Sequence, residues 1–157
     1  MIIETFALLS PAYFSSPFAT LSRFFPRKHP VDFNAKFCDG KRILGDGKTW
    51  EGLLLGTLLG GAAGALIYAC FGISENPFLI AFLGLLGDMM GSFAKRRMGL
   101  ERGEHAPILD ELDFLAPPLM YTLPPAADVM AVLAATPFLH KIVCLLGYKI
   151  GVKREPW

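Results

Sequence analysis

Apolar residues in this chain come in long blocks, and the cations fall between them. Residues 52–73 (GLLLGTLLGGAAGALIYACFGI) carry no charge over 22 positions. At about 1.5 Å per helical residue that is about 33 Å, enough to cross a hydrocarbon core of about 30 Å. Residues 77–98 form a second block, with Pro77 at a helix-starting position and Asp88 inside it. Residues 129–148 form another. Residues 1–22 hold one charge, Glu4, and two prolines, Pro11 and Pro17, which predict kinks. Residues 113–127 are apolar but hold Pro117, Pro118, Pro124 and Pro125, which predicts a short or broken span. The pattern predicts one membrane-embedded domain over 1–157. It is all-α, with five transmembrane helices at about 1–22, 52–73, 77–98, 113–127 and 129–148.

Charge orients these spans. The 15 Lys and Arg fall in three groups. The first runs from Arg23 to Lys48, the second is Lys95, Arg96, Arg97 and Arg102, and the third is Lys141, Lys149, Lys153 and Arg154. Under the positive-inside rule the N-terminus lies outside and the C-terminus in the cytoplasm. Two cytoplasmic loops, 23–51 and 99–112, then form the polar site of a multi-pass cell-membrane protein. Lys141 can snorkel to the inner interface, and Trp157 suits an interface anchor. A cleavable signal peptide is not indicated, because the chain begins with a carboxylate and its cations follow the apolar run.

Composition agrees. The chain is 53% hydrophobic with a mean hydropathy of +0.44, more apolar than typical soluble domains. Three cysteines without CxxC spacing argue against structural zinc or a disulfide framework. Gly52, Gly56, Gly60 and Gly64 recur every fourth residue and form a ridge for close helix packing. Packing within one chain is favoured over an oligomer.

Three motifs carry candidate chemistry. Asp88, Ser92, Lys95 and Arg96 (GDMMGSFAKR) are spaced i, i+4, i+7 and i+8 on one helical face. A carboxylate inside a membrane helix is costly and marks a functional candidate. Asp110 and Asp113 (LDELD) follow after a short polar loop. Three carboxylates without paired Cys suit Mg²⁺, which takes oxygen ligands and shares its shell with phosphates. The third motif, DGKRILGDGKTWEG at 39–52, is not a P-loop, because Arg42 stands where the first glycine is required. It remains a Gly-rich, cationic entry to a helix, which suits phosphate. Lys41, Arg42, Gly45, Asp46, Gly47, Lys48 and Thr49 are its candidate phosphate-binding residues, with Ser92 and Arg96 from the helix. Nucleophilic catalysis is not indicated: His29, His105 and His140 are scattered. Nucleic-acid binding is not indicated either, since topology explains the cations.

Together these motifs resemble the archaeal CDP-archaeol synthase family, related to CDP-diacylglycerol synthases. DGKRILGDGKTWEG resembles its first-loop signature. GDMMGSFAKRR followed by PILDELD resembles its cytidylyltransferase signature. His140, Tyr148, Gly151, Lys153 and the ProTrp ending also fit. The resemblance covers nearly the whole chain. It implies transfer of CMP from CTP to an isoprenoid ether-lipid phosphate, 2,3-bis-O-(geranylgeranyl)-sn-glycerol 1-phosphate, with Mg²⁺, releasing pyrophosphate. Asp88, Asp110 and Asp113 are then the expected metal ligands, with Lys95 beside them in the catalytic set, and the partners are CTP, that lipid and the membrane. The competing class is a small ion or solute transporter with Asp88 in the membrane. No internal repeat supports it, and the charged motifs gather at one face.

Overall fold

The computed structural model describes residues 1–101, 104, 106–149 and 151. Arg102, His105, Lys153, Arg154 and Trp157, which enter the expectations above, lie outside them. Among the described residues the fold is helical and without strands: α1 (Ile2–Ala19), α2 (Trp50–Phe71), α3 (Pro77–Arg97), α4 (Leu109–Leu112), α5 (Ala116–Thr122) and α6 (Ala126–Lys149). Short 3-10 turns follow α1 and join α4 to α5.

α2, α3 and α6 are long and apolar enough to cross a membrane. Leu54, Leu58, Leu66, Phe138, Ile142 and Leu146 stand exposed on them, as expected of helices facing hydrocarbon. The helix ends follow local chemistry. The Thr49 side chain caps α2 by accepting from Gly52 N at 3.1 Å, and Asn76 caps α3 through Phe78 N and Leu79 N. Gly72, at φ 66°, closes α2.

α1 runs unbroken through both of its prolines. Pro11 has no N–H to give to Ala7 O, and the Ser10 hydroxyl donates there instead, at 2.6 Å. The glycine ridge explains where α1 sits. A methyl at Gly56 or Gly60 would strike the Ser15 backbone, and one at Gly64 would strike Pro11. The ridge is therefore filled within the chain, as expected from packing. On its other side α1 meets α6 through two hydrogen bonds, Thr5 Oγ1 to Asp128 Oδ2 (2.9 Å) and Tyr13 OH with Thr136 Oγ1 (2.6 Å). The contacts advance together along both helices, so α1 and α6 run parallel. Met1 and Gly151 lie at opposite ends, and Arg23 Nη1 donates to Gly151 O at the far end.

The proline-rich segment does break. Its helix, α5, has 7 residues, about 10 Å, and the chain turns at Leu123 (φ 46°) before Pro124 and Pro125. α6 accordingly begins at Ala126, a few residues before the expected boundary. The core lies between α1, α3, α6 and this segment, around Leu9, Ala12, Ile80, Phe114, Leu115 and Val132.

Candidate active site

The end of the molecule with the charged loops gathers most of the expected site residues, and α3 is its post. Gly87 and Gly91 leave a groove on α3. The backbone of Asp113 and Phe114 lies against Gly87, and a methyl at Gly91 would collide with Asp113 Oδ2. The two glycines thus let Asp113 approach the helix that carries Asp88. Asp113 lies within electrostatic reach of Asp88, Lys48 and Asp110.

Two ion pairs flank it. Lys48 Nζ from the first loop stands 2.5 Å from Asp88 Oδ2, and both side chains are about a quarter exposed (22% and 26%). Lys95 Nζ stands 2.7 Å from Asp110 Oδ1. Asp110 Oδ2 also accepts from Ala106 N at 2.9 Å, and Asp110 N donates back to Ala106 O. The turn before it is tight: Ile108 takes φ 70°, ψ −50°, a strained conformation for a β-branched residue.

The cations that share one helical face by spacing diverge in space. Lys95 meets Asp110, whereas Arg96 turns to the first loop, donating from Nε to Leu44 O (3.3 Å) and from Nη1 to Leu100 O (2.5 Å). Gly45, at φ 93°, lies close enough that a side chain there would press on Arg96. Ser92 is buried. Thr49 is buried too, its hydroxyl engaged as the α2 cap. A separate open cleft of about 380 Å³ lies between the first loop and the end of α3, lined by Lys41, Arg42, Gly45, Asp46, Arg96 and Glu101.

Arg42 is held differently from Lys48. Its guanidinium binds Asp32 twice, at 3.2 and 2.7 Å, and Asp46 at 2.9 Å. Asp32 carries no motif that would single it out in sequence. Burial alone would raise its carboxyl, but Arg42 and the N–H groups of Gly45, Leu44 and Asn34 outweigh that and hold it well below the usual carboxylate range. The Arg42 guanidinium is pushed up, chiefly by its bond to Asp32. Arg97 closes the loop from the other side. It donates to Asp39 (3.0 Å) and to Arg42 O (2.6 Å), and stacks 4.9 Å from the ring centres of both Phe37 and Phe93.

What can this arrangement hold? Two ammonium groups and three carboxylates lie side by side at a partly open surface. Among the described residues no three of His, Cys, Asp and Glu form a preassembled metal cage. Mg²⁺ commonly needs only one or two carboxylates and completes its shell with water and substrate phosphate. The oxygen donors of Asp88, Asp110 and Asp113 fit a metal shared in that way. The cations beside them suit phosphate.

Known proteins resemble this chain along nearly its whole length. The chain matches, over residues 1–157, the family model described as CarS-like, CDP-archaeol synthase. It is 41% identical to the CDP-archaeol synthase of Pyrobaculum islandicum, with 99% of each chain covered. It is 40% identical to that of Aeropyrum pernix, over 99% of this chain and 92% of the relative. A solved structure, described as an intramembrane enzyme for archaeal membrane lipids biosynthesis, superposes with a TM-score of 0.81 at 38% identity. That match covers 91% of this chain and 94% of the other.

Proposed function

This chain belongs to the CarS-like CDP-archaeol synthase family, whose members are membrane-bound, CTP-dependent nucleotidyltransferases of archaeal lipid synthesis, and from that premise we propose a finer reading of its reaction. The lipid acceptor is 2,3-bis-O-(geranylgeranyl)-sn-glycerol 1-phosphate. One of its phosphate oxygens attacks the α-phosphorus of CTP, a new phosphoanhydride bond forms, and the bond to the β-phosphate breaks to release pyrophosphate.

The observation that carries this reading is the convergence of Lys48–Asp88 and Lys95–Asp110 around Asp113. The nucleophile is already an anion, so the site needs no strong general base. It must position two negatively charged reactants and offset their charge. Lys48 and Lys95 exchange their carboxylate partners for triphosphate oxygens, and Arg96 supports the loop beside them. Mg²⁺, when bound by Asp88, Asp110 and Asp113 directly or through water, supplies polarisation of the α-phosphate and charge relief for the leaving pyrophosphate. The lipid tails stay in the bilayer, next to the broken segment around α5, while the phosphate head reaches the polar end.

The same proposal sets the topology. α1 and the broken segment complete a five-span bundle, with Met1 outside and the polar end in the cytoplasm. Tags at the two termini should be accessible from opposite sides of a sealed membrane. Accessibility from one side would refute that topology.

The reaction is tested with purified protein, Mg²⁺ and CTP labelled in the α-phosphate, offered either the geranylgeranylated glycerol phosphate or phosphatidic acid. Label entering lipid with the ether lipid alone is the expected outcome. Equal labelling of both lipids would discard the acceptor assignment.

A further inference from the structure

The side chain of Asp32 is fully buried and accepts five hydrogen bonds: two from Arg42 and one each from Asn34 N, Leu44 N and Gly45 N. A carboxylate offers about four lone-pair sites, so Asp32 has no capacity left for a metal or a phosphate. Its bonds instead shape the strand of loop that leads to Lys48. Leu44 N and Gly45 N both point to Asp32 Oδ2 at 3.0 Å. Lys48 N then donates to Gly45 O (3.3 Å), and Lys48 O accepts from Val31 N (2.9 Å), next to Asp32. Both peptide groups of Lys48 are therefore tied to the frame that Asp32 holds. Arg42 completes the frame, and Asp46 holds Arg42 from the far side.

We propose that Asp32 is a positioning residue for Lys48: by fixing the turn 42–48 it aims the Lys48 ammonium at the point where Asp88 and the triphosphate meet. The proposal rests on the assignment of Lys48 to CTP made above. Its physical basis is geometric. The Lys48 side chain is long, and the site uses it only if its backbone is held in one place.

A merely structural role would lower the amount of active protein and leave the KM for CTP alone. A positioning role raises KM. The test compares Asp32→Asn, Lys48→Met and the double variant by KM, kcat, equilibrium CTP binding and thermal melting. Asp32→Asn keeps the shape of the side chain but removes the charge that pairs with Arg42. The expected result is an increase in KM for CTP of about tenfold in Asp32→Asn, with kcat within about twofold. Lys48→Met should raise KM at least as much. The double variant should be no worse than Lys48→Met, because both changes remove the same contact.

If Asp32→Asn does not fold, Arg42→Lys takes its place: it keeps the charge but loses the bidentate geometry, and its KM should rise in the same way. Additive effects of Asp32→Asn and Lys48→Met, or an unchanged KM in the Asp32 or Arg42 variant, would overturn the proposal while leaving Lys48 in the site. An unchanged KM and CTP affinity in Lys48→Met would remove the underlying assignment and this proposal together.

Discussion

Asp32–Arg42 and Asp88–Lys48 are both aspartate–cation pairs of the polar end, and they are built to opposite specifications. The first is closed. Asp32 is fully buried, every acceptor site is filled by protein, and the guanidinium grips it with two prongs. The second is open. One ammonium faces one carboxylate oxygen, and Asp88 keeps about a quarter of its surface exposed where Asp32 keeps none, although Arg42 and Lys48 are about equally exposed. Lys95–Asp110 resembles the second in its single ammonium contact. A carboxylate whose bonds are all made within the protein can only hold structure. One that meets a single flexible ammonium can change partners when a metal and a polyphosphate arrive. In the reading proposed above, that difference separates scaffold from site within one cluster of charges.

The largest effect should come from the open group. Asp110→Asn and Asp113→Asn should each lower turnover by about a hundredfold or more, the scale of losing one group that stabilises developing charge, while the protein still inserts and elutes as wild type. Near wild-type turnover in either variant would remove that residue from the site. A smaller, indirect loss should follow Gly91→Ala. Its methyl collides with Asp113 Oδ2, and overpacking of this kind typically costs about 1–3 kcal/mol. Activity should fall with the melting temperature, and a variant that melts and turns over as wild type would show that Asp113 does not need the groove.

The closed groups should affect stability in a different way. Thr49→Ala removes the α2 cap at Gly52 N and should cost about 1 kcal/mol, with the KM for CTP unchanged; a raised KM would move Thr49 into the open group. The smallest signal is in pH. The folded carboxyl of Asp32 is depressed, so its contribution is complete above its unfolded value of about 3.9 and is lost as pH falls through the lower, folded value. The melting difference between wild type and Asp32→Asn should stay flat from about pH 8 to 5 and shrink only below about pH 4. A difference that already shrinks near neutrality would mean that the pair is not closed.

Much of this was legible in the sequence where local chemistry decides. The span expected at 77–98 is α3, Pro77–Arg97, because Asn76 and Pro77 start it and Gly99 follows its end. The glycine ridge was readable from spacing, and the break at 113–127 from its prolines. The readings that needed tertiary structure were different. α1 stays one continuous helix across Pro11 and Pro17, and at Pro11 the Ser10 hydroxyl takes over the acceptor that the proline leaves. Lys95 and Arg96 are neighbours in sequence but serve different walls of the site. Arg42 reads as a phosphate ligand by charge and loop composition, and its ion pairs with Asp32 and Asp46 were not readable from the sequence. Asp32 itself gave little local signal, since apart from Asn34 its partners Arg42, Leu44 and Gly45 meet it only when the loop closes.

In the proposed reaction the open pairs, and not the closed one, receive the nucleotide. Equilibrium binding of CTP in the presence of Mg²⁺ to wild type and Lys48→Met tests it most directly, with thermal melting as the control for folding. Lys48→Met should weaken CTP binding about tenfold or more and melt as wild type. Unchanged affinity in a folded Lys48→Met protein would contradict it and place the triphosphate elsewhere on the polar end.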